Sequence, residues 1–284
     1  MNGQRAVRHG TDIARDADAV HALLADATAA VRMSPTVLHV AYTERNDSGD
    51  VIQRWVAEGG AVRTWQARRE LDATARTVVF EHLGPKPPVT WMRGEWRVTP
   101  TGPDTCRVEL GHSWQADGDD TAFAARMDQG IGMQLAALKR TAELHAELDA
   151  CTVRQERTLL VSAPAAEVHA WLREAPAPPT RAFAYLPEHT TAWKQLAELP
   201  ELHALLYGTV TLEPVGTGTR VSAVRTAVLD PAAVAGRGWG RDEVTRHVKQ
   251  TCDAEGPALL DGLARAFAPA AAGDAAAASR TEGA

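Results

Sequence analysis

Hydrophobic and polar positions alternate along TWQARRELD, residues 64–72. On a strand, successive side chains point to opposite sides. Trp65, Ala67, Arg69 and Leu71 therefore share one face, and Thr64, Gln66, Arg68 and Glu70 the other. The second set suits solvent and the first a core, which puts the Arg69 guanidinium among apolar residues. Similar strand segments are predicted over 5–13, 36–46, 51–58, 61–72, 77–83, 88–99 and 105–116. Asp-Ser-Gly at 47–49, Gly59-Gly60 and Gly102-Pro103-Asp104 supply turn chemistry between several of them. A short amphipathic helix follows the first strand. The period changes near 121–148, where Phe123, Met127, Ile131, Leu135 and Leu138 recur at spacings of three and four. That spacing predicts a long helix with one apolar face.

The pattern then repeats. IARDADAVHALLADA (13–27) is similar to VSAPAAEVHAWLREA (161–175), and GEWRVTPTGPDT (94–105) to GTVTLEPVGTGT (208–219). Val20 and Val168 stand 148 positions apart, Gly94 and Gly208 only 114, so the second copy lacks 34 residues between the paired segments. Each copy runs strand, helix, strands and a long final helix, the second ending near 241–268. An antiparallel sheet with one apolar face needs a cover, so each sheet is expected to curve around its last helix and leave an elongated cavity, into which Arg69 points. The expected domains are 1–150, with the pocket, and 151–268, a shortened copy. A copy short of strands is expected to turn its remaining apolar face to the first domain. Residues 269–284, Ala-rich and without an apolar stripe, are expected to be a disordered tail.

Composition narrows the function. The chain has 284 residues, 45% hydrophobic and 23% charged, as in soluble globular proteins. A net charge of −6 and the lack of a dense Lys/Arg run argue against a nucleic-acid partner. No stretch approaches a membrane span, and the N-terminus has no signal-peptide pattern, so a cytoplasmic location is expected. Cys106, Cys151 and Cys252 are far apart and odd in number, with neither metal nor redox spacing. No metal or cofactor site is expected.

RTWQARRELDATARTVVF, WMRGEWRVTPTG and CRVELGHSW together resemble the bacterial type II polyketide aromatase/cyclases of the START-like, helix-grip superfamily. The tandem order resembles their didomain members. The resemblance implies an α+β fold of two helix-grip domains, the second truncated. It implies regiospecific aldol cyclisation and dehydration of a poly-β-ketone on an acyl carrier protein, beside minimal polyketide synthase components, and aromatisation of the first ring. The family's Trp-x-x-x-Arg strand carries over to Trp65 and Arg69. An arginine stays protonated, so it suits holding a carbonyl or a developing enolate rather than acting as base. From the strand alone, a packed stem with its head at the cavity mouth is the favoured alternative.

The other candidates follow from the same pattern. His39 and Tyr42 lie on opposite faces of PTVLHVAYTE by parity. His39 is a candidate base and Tyr42 a candidate carbonyl donor, each with an ordinary packing role as the alternative. Trp91, Trp96 and Trp114, with Met127, are candidate walls for a flat ring, or plain core. The chain departs from the family at AAVRMSP (29–35), where a Trp-Pro pair is usual. It departs again at MDQGIGMQLAALK (127–139), where Gly130 and Gly132 stand in place of a polar helix turn. In the second copy TRAFAYLPE (180–188) carries Ala182, Phe183 and Ala184 instead of an internal arginine. The competing function is a START-like binding protein for an apolar or aromatic ligand, without turnover.

Overall fold

A computed structural model describes residues 4–85, 87–175, 178–255 and 257–267. The expectations for 269–284 lie outside these residues. The chain opens with β1 (Arg5–Ile13), α1 (Ala17–Ala25), a short 3-10 turn and α2 (Ala30–Met33). Six strands follow: β2 (Val37–Asn46), β3 (Gly49–Glu58), β4 (Ala61–Asp72), β5 (Thr77–Leu83), β6 (Val89–Gly102) and β7 (Thr105–Ala116). They form an antiparallel seven-stranded sheet in the order β1-β7-β6-β5-β4-β3-β2. The expected final helix breaks at Leu144 into α3 (Thr121–Glu143) and α4 (His145–Ala150).

The alternation read from the sequence sets the packing. Ile131, Leu135, Leu138 and Ala142 of α3 are buried against Val78, Val98, Val108 and Leu110 of the sheet and Val20 and Leu24 of α1. This is the helix-grip arrangement, and it defines the sheet's inner face. Asp16 caps α1 by accepting from Ala19 N at 2.8 Å, which satisfies one of the free amides of a helix start. Gly130 and Gly132 face open space, so packing does not require them. Gly49 is different: a Cβ there would stand 2.1 Å from the Arg69 carbonyl oxygen. Only glycine lets β3 begin so close to β4.

The second half repeats the plan with fewer strands. β8 (Thr152–Val161) and α5 (Ala165–Glu174) precede β9 (Arg181–Leu186), β10 (Thr190–Gln195), β11 (His203–Val215) and β12 (Gly218–Leu229). The strand order is β8-β12-β11-β10-β9. Laid on the first sheet, this order lacks the equivalents of β2 and β3, a hairpin that accounts for most of the missing chain. The helices α6 (Pro231–Gly236), α7 (Arg241–Glu255) and α8 (Pro257–Ala266) end the described part.

Contrary to expectation, the second sheet covers its inner face with its own helices. Val234 of α6 and Val244 and Val248 of α7 bury Trp193, Leu206 and Ala227, while Leu263 of α8 and Val168 of α5 bury Val210 and Val221. The first domain meets the outer face instead: Leu38 and Trp55 pack with Ala184, Leu186 and Ala192. Five strands suffice for the inner face because four helices share it. The outer surface of the β9–β10 edge is then the apolar area left to cover.

Candidate active site

Arg69 lies on the inner face, as its parity requires, and is buried. Each of its three nitrogens donates a hydrogen bond. Nε donates to Asp50 Oδ1 at 2.7 Å and Nη2 to Asp50 Oδ2 at 2.6 Å, a bidentate pair. Nη1 donates to Leu24 O at 3.1 Å and Nη2 also to Ala25 O at 2.7 Å. Those carbonyls belong to the last turn of α1, where helix carbonyls lack partners and negative partial charge collects. Asp50 is itself fully buried. The guanidinium among apolar residues thus closes a helix end and neutralises a buried carboxylate.

Arg54 is in a different state. On β3 it pairs in register with Trp65 of β4, which places it on the same inner face. Its guanidinium lies over the Trp65 ring, 5.9 Å from the centroid. Nε is buried and meets no hydrogen-bond partner, and among the described residues no carboxylate pairs with it. Burial, with the charge of Arg69 second, pulls its pKa down to about 10. At neutral pH it is still a cation, half-buried and without a carboxylate among the described residues.

Two histidines continue this band across the sheet. His82 of β5 stacks near-parallel on Trp65, with centroids 6.2 Å apart. Phe80 stands between the imidazoles, 6.1 Å from His82 and 5.3 Å from His112. Phe80 fits there because Gly94 of β6 has no side chain; a Cβ would stand 2.2 Å from the ring. Burial draws His82 down to about 4, helped by the charge of Arg54. Burial also draws His112 to about 4, helped by His82. The Nδ1 atom of His112 is buried without a partner. The band holds one free cation and two neutral imidazoles: donors for a growing negative charge, and nitrogens able to take a proton.

The residues expected from the sequence divide around this band. Trp65 belongs to it. Tyr42 faces inward, but its hydroxyl accepts from Ala27 N at 2.9 Å and donates to Asp26 Oδ1 at 3.2 Å, tying β2 to the α1–α2 connection. Trp114 is buried; its Nε1 donates to Asp120 Oδ2 at 2.8 Å, and its ring meets Phe123 edge-on. Met127 packs in the same cluster, at the start of α3. Trp96 packs into the main core. His39 and Trp91 are on the outer face. His39 pairs in register with Trp55 and lies 5.6 Å from its ring, on the side that meets the second sheet. Trp91 pairs with the exposed Gln115, next to the inward Met92. Neither can reach the inner band. Sequence reading passed over Arg54, His82 and Asp50. Their signal is register: once β3, β4 and β5 are paired, all three share the face of Arg69 and Trp65.

Elsewhere, an open groove of about 260 Å³ crosses the outer face, its walls including Arg8, Arg93, Glu95 and Ser113. It lies across the sheet from the band. On the second sheet's inner face, Arg181 and Arg225 lie over Trp193 at 4.6 and 5.8 Å. Arginine is therefore present there, although not at the position matching Arg69. No helix of the described residues is long and apolar enough to cross a membrane, and among those residues no His/Cys/Asp/Glu group is arranged to hold a metal.

A family model for polyketide cyclase / dehydrase and lipid transport matches residues 4–143. The granaticin polyketide synthase bifunctional cyclase/dehydratase of Streptomyces violaceoruber is 27% identical over 171 residues, 59% of this chain and 53% of that protein. The chain thus spans about half the length of that relative. The actinorhodin polyketide synthase bifunctional cyclase/dehydratase of Streptomyces coelicolor is 28% identical over 241 residues, 80% of this chain and 68% of the relative. Among solved structures, the di-domain ARO/CYC BexL from the BE-7585A biosynthetic pathway superposes with a TM-score of 0.73 at 28% identity. That match covers 94% of this chain and 99% of BexL.

Two outcomes are expected. Arg69→Met leaves Asp50 buried without a partner and should cost about 3–5 kcal/mol in denaturant unfolding, much of it recovered when Asp50→Leu is added. A single variant as stable as the parent would contradict this role. For His82 and His112, the ordinary value is 6.5 and the folded value about 4. Between these limits the unfolded chain binds more protons, so stability falls as pH drops from 6.5 towards 4. The fall should be shallower in His82→Phe/His112→Phe, and an unchanged slope would rule the assignment out.

Proposed function

We propose, for a chain whose residues 4–143 belong to the polyketide cyclase/dehydrase family, that it is a polyketide aromatase/cyclase. It closes the first ring of an acyl-carrier-bound poly-β-ketone by intramolecular aldol addition and then eliminates water. Its partners on this reading are the acyl carrier protein and the minimal polyketide synthase, and its setting is the cytoplasm. The observation that carries the reading is Arg54: a half-buried guanidinium whose buried Nε has no hydrogen-bond partner and which pairs with no carboxylate among the described residues. Such a charge is costly to bury unless something completes it, and a ketone oxygen that becomes an enolate is a fitting complement.

The chemistry follows from the band. A β-ketone oxygen lies against Arg54, which lowers the energy of the enolate formed when the methylene between two carbonyls loses a proton. A neutral imidazole is the form that can take that proton, and the open Nδ1 of His112 is the atom assigned to it. The enolate carbon attacks a ketone carbon further along the chain, one C–C bond forms, and the new alkoxide is protonated. Loss of that hydroxyl with a second α-proton releases water and leaves the ring double bond. His82 stands beside Arg54 as the second proton carrier. Trp65, with Trp114 and Met127, supplies apolar surface for a flat ring. Holding a flexible chain in one folded geometry lowers the barrier further.

The test is reconstitution with a minimal polyketide synthase and identification of the products. Arg54→Met should lower the first-ring product about 100-fold or more while circular dichroism and unfolding show the fold retained. A parent-like product pattern from a folded Arg54→Met protein would overturn the assignment.

A further inference from the structure

Lys194, on β10, is fully buried and points out of its own domain. Its Nζ donates to three backbone carbonyls of the first: Val31 at 2.6 Å, Ser34 at 2.6 Å and Val37 at 3.1 Å. Three acceptors match the three N–H donors of an ammonium. Burial draws this group down to about 7, and the carbonyl cage opposes that shift by favouring the charged form. The carbonyls lie along the connection from α2 into β2, an edge strand. The side chains of Val31 and Val37 are buried with Val40, Val56 and Ala67, and Trp65 packs against that group. Tyr207 of β11, which pairs with Lys194 in register, reaches the same cluster.

We propose that Lys194 is a positioning residue, through which the second domain fixes the α2–β2 rim and so the placement of Trp65 and Arg54 in the first-domain site. Several contacts in sequence carry the coupling. The ammonium gathers three carbonyls of one connection; that connection carries Val31 and Val37; those side chains belong to the cluster against which Trp65 packs; and Arg54 lies on Trp65. A surface lysine making a single contact could be replaced without moving the rim. Three bonds to residues spread over six positions of the chain cannot be lost without freeing it.

The inference rests on the proposed site, so the experiment reads position and products separately. Full-length Lys194→Met removes the donors and keeps the length of the side chain. Lys194→Gln retains two amide donors and serves where the first variant folds poorly. Indole N–H resonances are assigned by Trp→Phe substitution. Trp65 should shift or broaden in Lys194→Met and shift less in Lys194→Gln, while Trp114, held by Asp120, stays in place. In the reconstituted synthase, ring fidelity should fall in the same order. An unmoved Trp65 signal in a folded Lys194→Met protein overturns the proposal and leaves the Arg54 reading standing. A moved Trp65 signal in Lys194→Met with parent-like products from Arg54→Met supports the latch and refutes the Arg54 reading.

Discussion

The Arg69–Asp50 pair is the constraint on which the first domain is built. Two charges removed from water must complete each other, and here the geometry is bidentate, with Nε and Nη2 each meeting one carboxylate oxygen at 2.7 and 2.6 Å. Such a pair gains little net stability over apolar groups but tolerates no change of partner. It therefore fixes the start of β3 against β4, and through Leu24 O and Ala25 O it fixes the end of α1 against both. It also determines the charge left inside. Two guanidiniums, Arg69 and Arg54, lie on this inner face, and the Asp50 carboxylate lies on it as the register partner of Arg69. Arg69 takes it, and its charge lowers the proton affinity of Arg54. Among the described residues, the inner face of the first sheet keeps Arg54 as a half-buried cation without a carboxylate, beside histidines that burial keeps neutral.

This arrangement redistributes roles along a familiar strand. The Trp-x-x-x-Arg pattern at 65–69 is present, yet its arginine is engaged in holding the fold. The free cation comes from the neighbouring strand, where Arg54 pairs in register with Trp65. The second domain has followed a different course. Without the equivalents of β2 and β3, it fills its interior with Trp193, Phe183 and the helix residues Val244 and Val248. What it offers the first domain is an outer surface, with Leu186, Ala192 and the Lys194 ammonium on the β2 edge.

Much of the fold was legible because it rests on period and repetition. The alternation at 64–72 gave the correct inner face, and the duplicated segments foretold two related sheets, the second shorter. The helix ends were less legible, since the break at Leu144 involves neither glycine nor proline. The site was harder to read, for particular reasons. Both faces of β3 are apolar, because Trp55 and Ala57 meet the second domain, so alternation could not tell which side Arg54 faced. Asp50 follows a turn and looks like turn chemistry until its pairing with Arg69 is known. Trp91 and Trp96 are five apart on one strand and could not share a face, which parity alone would have shown. His39 lies near an irregularity in the β2–β3 register, and only the docked second sheet explains why its side of β2 is covered.

The central claim is that Arg54, and not Arg69, is the cation offered to substrate. The most direct measurement is a crystal structure of the full chain with a bound aromatic β-ketone that mimics the first-ring product. The account predicts a ligand oxygen about 3 Å from the Arg54 guanidinium, with Arg69 still bidentate to Asp50. A ligand held by Arg69 after it has released Asp50, with Arg54 uninvolved, would contradict it.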